Sequence, residues 1–105
     1  MDELLQIMQE LSLPFAYDHF AEGESPEPPF VVYLIPGNNN FAADGIAYYK
    51  INEVHIELYT DKKAPQLEAQ VEAVLDQHGL FYTKTETWIE SEKLYEVLFI
   101  FDMEA

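Results

Sequence analysis

Val54, Ile56 and Leu58 fall at every second position with His55, Glu57 and Tyr59 between them, the period of a strand with one apolar face. Leu67, Val71, Val74 and Leu75 then recur at helical spacing. The stretch from Val54 to Gly79 therefore predicts a strand, a short charged turn and an amphipathic helix whose apolar stripe lies on that strand. Pro65 suits the first helical turn, where its missing N–H costs nothing, Asp61 is the candidate cap, and Gly79 supplies the stop.

The flanking segments follow the same two periods. Leu4, Ile7, Met8 and Leu11 make an i, i+3, i+4, i+7 stripe for a first helix, with Asp2 as its cap and Ser12-Leu13-Pro14 as its end. Phe15 to Phe20 is densely aromatic without a clear period, and Gly23, Pro26, Pro28 and Pro29 exclude regular structure from the ordered connector that follows. Phe30 to Ile35 is apolar on both faces, as in a strand covered on both sides or buried between neighbours, and Pro36 closes it. Pro36 to Gly45 reads as a polar loop with Phe41 alone in its middle. Ile46 opens a second strand region that continues through Tyr59, with room for a bulge or turn around Asn52-Glu53.

Phe81 to Glu90 and Leu94 to Asp102, separated by Ser91-Glu92-Lys93, have the pattern of an antiparallel hairpin. Tyr95, Val97, Phe99 and Phe101 mark a core face in the second arm, and Leu98 and Ile100 add apolar surface behind it, which predicts a central strand. The predicted order is α-β-β-α-β-β: a single α+β domain over residues 1–105, with a mostly antiparallel sheet of about four strands and two helices packed on it.

Composition adds what the pattern leaves open. Of 105 residues, 49% are hydrophobic, including seven Phe, seven Tyr and one Trp, so the chain supports a packed core and is not a disordered acidic tail. No apolar run approaches the roughly 20 residues that cross a bilayer, and Met1-Asp2-Glu3 lacks the positive start of a secretion signal, which predicts a cytoplasmic chain. Zero cysteines exclude disulfides, thiol catalysis and thiolate metal sites. Twenty carboxylates face five lysines and no arginine, for a formal net charge of −15. Specific nucleic-acid binding needs a basic footprint that this chain lacks. Such a field either keeps an aromatic-rich domain soluble or acts functionally, by repelling DNA and anionic membranes or attracting a basic partner.

Catalytic chemistry finds little support in the residues. Ser12, Ser25 and Ser91 lie in no nucleophile context, His19, His55 and His78 are scattered singly, and the four glycines form no phosphate-cradling loop. His55 alternates with Glu57 as half of a metal site that nothing completes, against the plainer reading of an exposed sheet face. His78 near a helix C-terminus reads as a favourable charge against the dipole. Catalytic, cofactor-binding and metal residues are thus all expected to be none. Glu68, Glu72 and Asp76 stand four apart on one helical face without an interleaved lysine, either tolerated on a solvated face or kept for a purpose.

LPFAYDHF, PPFVVYL, NNNFAADG, VHIELYTDKK and KLYEVLFIFDME together resemble a family of short head–tail joining proteins of long-tailed phages and prophages of Gram-positive bacteria. PPFVVY, NFAAD and IELYTDKK, in this order, carry the resemblance best, and it spans nearly the whole chain. It implies a non-enzymatic tail-terminator or tail-completion protein. Such a protein would form a ring, usually of six subunits, that caps the tail tube and meets the head-side connector protein. Its implied locations are the host cytoplasm during assembly and then the virion. Under that reading Glu68, Glu72 and Asp76 are candidates to line the lumen, where carboxylates repel sliding DNA. Asn38, Asn39, Asn40, Phe41, Asp44 and Trp88 are candidates for subunit or tube contact. The main alternative is an acidic DNA mimic that occupies the basic groove of a host nucleic-acid-binding protein. A small enzyme or ligand-binding domain would need a pocket with convergent polar groups, for which the sequence gives no sign.

Overall fold

A computed structural model describes residues 2–43 and 46–104, with the side chains at 2 and 41–49 outside that description. In chain order the elements are α1 (Asp2–Glu10), β1 (Phe15–Tyr17), β2 (Phe30–Asn38), β3 (Phe41–Ala43), β4 (Ile46–Tyr49), β5 (Ile51–Thr60), α2 (Pro65–Gln77), β6 (Tyr82–Ile89) and β7 (Leu94–Glu104). Five strands form one sheet in the order β1-β2-β5-β7-β6, and β3 pairs with β4 as a separate two-stranded unit.

Strand β5 is the middle of the sheet because its alternation serves both neighbours. Val54, Ile56 and Leu58 point to the helices and are buried, in register with Phe101, Phe99 and Val97 on β7 and, for Ile56 and Leu58, with Tyr33 and Val31 on β2. Leu4, Ile7 and Met8 from α1, Leu11 just past its end, and Val71 and Leu75 from α2 close this layer into one core. Burying each such side chain stabilises the fold by about 1.5–3 kcal/mol before the entropy of ordering is counted. The two helical stripes, the hairpin and the core face of β7 all match the sequence expectation. β7 lies inside the sheet, flanked by β5 and β6.

Four details differ. Pro36 does not close the second strand: β2 runs on to Asn38, and the register with β5 shifts between Leu34 and Gly37, so an irregularity absorbs the residue that lacks an N–H. Within the expected loop from Pro36 to Gly45, the end of β2 is followed by β3, which pairs with β4, and residues 44 and 45 lie outside the described residues. The break in the following strand region falls at Lys50, while Asn52 and Glu53 lie within β5. Phe15–Tyr17 adds a fifth strand, parallel to β2, so the sheet is antiparallel except at that edge.

At the helix ends the backbone signals hold. Pro65 opens α2, and Gly79 takes φ +69° just past its end, a conformation that costs glycine little. Asp61 is not the cap; Ala64 occupies that position without a side-chain hydrogen bond. No helix among the described residues is long and apolar enough to cross a membrane.

Candidate functional site

The acidic stripe of α2 divides when its partners are placed. Glu68 is only 4% exposed. Lys63, in the turn before α2, and Lys84, on β6, both pair with its carboxylate, and Lys63 also reaches Glu86. Burial alone would raise the Glu68 carboxyl; hydrogen bonds from Lys63 and then Lys84 outweigh it and hold the group below the ordinary range. Glu72 accepts from Lys84 at 2.9 Å and from the Tyr82 hydroxyl at 3.1 Å. Asp76 remains exposed. Glu68 and Glu72 thus tie the helix to the edge strand β6, and Asp76 is the member of the stripe that faces solvent without such a partner among the described residues.

The loop candidates are also committed to the fold in part. Asn38 pairs in register with Asn52. Asn39 donates to Asp102 at 2.8 Å and to Glu53 at 3.3 Å, tying the end of β2 to β5 and β7. The Asn40 side-chain oxygen accepts from the Ile51 backbone N–H at 2.9 Å. These bonds fix where the β3–β4 unit leaves the sheet. Phe41 begins β3, and its side chain, like the whole of Asp44, lies outside the described residues. Trp88, on β6, is 43% exposed; its ring tilts over Tyr95 with centroids 4.7 Å apart, and its indole N–H donates to Glu90 at 2.6 Å.

Two of the histidines are engaged by the fold. His55 meets Glu53 at 2.7 Å, two residues back along its own strand, and not Glu57. His78, at the end of α2, sits 3.0 Å from Glu3 and 2.8 Å from Glu10 of α1, so it joins the two helices. Hydrogen bonds that it donates to Glu10 and then Glu3 raise its pKa. Among the described residues no group of three or more His, Cys, Asp or Glu could hold a metal ion.

Sequence reasoning missed an aromatic cleft on the face of the sheet away from the helices. Core residues come from the helix-facing set of β2, β5 and β7; the alternate set, including Leu34, His55, Glu57, Tyr59, Glu96, Leu98 and Ile100, forms the opposite face. At one end of it the connector after β1 folds over the sheet. Phe20 meets Phe30 edge-on at 5.4 Å, and Phe30 stacks on Tyr59 at 5.2 Å. These rings, with Val32 and Leu94, line a cleft of about 460 Å³ between the connector and the β6–β7 turn.

Beside the cleft the Tyr59 hydroxyl lies 2.7 Å from Glu57 and 2.8 Å from Glu96. It carries one proton and donates to one carboxylate at a time. Burial, more than its hydrogen bond or neighbours, raises the Glu57 carboxyl above its ordinary range, and burial followed by the two carboxylates pushes the Tyr59 phenol far upward. The alternation of His55, Glu57 and Tyr59 was the legible signal; the pairing with Glu96 required the β5–β7 register.

Comparison with protein-family models and with curated proteins returns no match.

Proposed function

We propose that this chain is a non-enzymatic structural protein of the head–tail joining region of a long-tailed phage, a tail terminator or tail-completion protein that assembles into a ring, six subunits being the expected number. The observation that carries the proposal furthest is the strongly acidic exterior. Of five lysines, Lys63, Lys84 and Lys93 are turned onto carboxylates of the same chain, on a molecule with a net charge of −15. A ring of such subunits repels the phosphates of DNA sliding through it, with Asp76 as the lumen candidate least engaged by the fold.

A ring of identical subunits needs two different, complementary patches on each copy. The β3–β4 unit stands outside the main sheet, in a molecule elongated to 48 Å along its longest axis, and supplies an arm for one of them. The exposed edge around Trp88 is the candidate for the other. Partners under this reading are further copies of the chain, the tail tube protein and the head-side connector, with the virion as final location.

Deleting the gene from the parent phage and imaging the particles tests the proposal. Filled tailless heads beside free tails of abnormal length are expected. Normal infectious particles would overturn it and leave the DNA-mimic reading, which draws on the same acidic surface.

A further inference from the structure

The cleft floored by Phe30 and Tyr59 has a charge pattern that its surroundings do not balance. Asp18 and Glu92 stand on its rim, and Glu57 and Glu96 meet at the Tyr59 hydroxyl beside its floor. No lysine lines it. His19, on the same rim, is bonded to Asp18, and His55 is bonded to Glu53. No ion pair among the described residues involves Glu57 or Glu96, although both are half-buried. A single phenolic proton shared by two carboxylates leaves acceptor capacity unfilled in a partly desolvated place.

Aromatic faces beside carboxylates form a setting that suits a guanidinium group. The rings attract the cation through their faces, and the carboxylates receive its planar fork of N–H donors. Apolar flanks at Phe20, Val32 and Leu94 would cover the neighbours of such a residue in an extended segment. We propose that this cleft is a docking groove for an arginine-bearing segment of a partner protein, the arginine inserting beside Phe20 and Tyr59 to reach Glu57 and Glu96 past the Tyr59 hydroxyl. The chain has no arginine of its own, so the occupant is a different protein and not a second copy. The proposal stands apart from ring formation and from the place of the protein in a virion.

Calorimetric titration of the full chain with acetyl-Val-Leu-Arg-Leu-Val-amide tests it, set against the same peptide carrying citrulline, which keeps the shape and loses the charge. The arginine peptide is expected to bind at least about tenfold more tightly. The variant E57Q/E96Q, near-isosteric at half-buried positions, should erase that preference, with a thermal melt confirming that it folds. D76N/E104Q removes the same amount of charge elsewhere and should retain it. Equal binding of the two peptides, absence of binding, or equal loss in both double variants would show only the general acidic field and overturn the groove. Free guanidinium binding as tightly as the peptide would overturn a protein segment in favour of a small cation.

Discussion

The Lys84 ammonium on β6 lies 2.8 Å from the buried Glu68 carboxylate on α2. A charge taken out of water holds only while its partners stay, so removing one partner costs more than the pair is worth. Lys84→Ala leaves Glu68 with Lys63 alone, leaves Glu72 with the Tyr82 hydroxyl and strips the ammonium that sits 6.0 Å from the Phe99 ring centroid. A loss of about 2 kcal/mol is expected in urea unfolding, because Lys84 is itself partly exposed and water softens the penalty. Asp76→Asn on the same helix should stay within about 0.5 kcal/mol.

His78 makes stability depend on pH with a definite sign. Its folded pKa is raised above 6.5 by Glu10 and Glu3, so its contribution is fully present below about pH 6.5 and fades as pH climbs through the folded value. Glu10 is lowered from 4.5, chiefly by His78 and then by Gln6, so its share is present above about pH 4.5 and fades on acidification. Melting temperatures across pH 4 to 9 should fall on both sides of a mildly acidic maximum, and His78→Gln should shrink the fall on the alkaline side to the part that the raised Glu57 carboxyl contributes.

Gly79 takes φ +69°, and a Cβ added there would meet nothing within 4 Å. The cost of Gly79→Ala is therefore purely that of the left-handed backbone, about 1 kcal/mol, measurable as a shifted urea midpoint with an unchanged slope. A larger loss would point to contacts that the open surroundings of Gly79 do not contain.

Phe99 and Phe81 separate burial from composition. Phe99 is fully buried beneath the helices, and Phe99→Ala should cost about 4 kcal/mol, a large part of the stability of a domain this size. Phe81 is 88% exposed, and Phe81→Ala should leave unfolding within about 0.5 kcal/mol of the parent.

That contrast also marks how far the sequence could be read. Period-two and period-3.6 patterns are set by one face meeting a core, so the buried positions of α1, α2, β5 and β7 were legible. Phe81 lay just outside its strand, where the alternation of residues 81–90 places it on a face without saying that the face is bare. The strand region opening at Ile46 was legible and is β4, but β1 and β3 were not, because each is only three residues long and β3 is flanked by residues with strong turn preferences. Partners at a distance were hidden for a different reason. Lys63 and Lys84 reach Glu68 from a turn and from another element, so the helix alone showed three like charges. Glu96 meets Tyr59 only through strand register.

Under the ring proposal, Phe41→Asp is expected to prevent ring formation and infectivity, and Trp88→Ala to weaken ring formation while leaving the monomer folded by circular dichroism. Rings that form normally in either variant would remove that position from the subunit interface.

Cryo-electron microscopy of the neck of the parent phage addresses the central proposal most directly. A closed ring at the head-facing end of the tail tube, six subunits around, each fitting a five-stranded sheet with two helices on one face and Asp76 toward the channel, is the predicted result. A neck in which no density fits this fold, in particles that lack the protein by mass spectrometry, would contradict it.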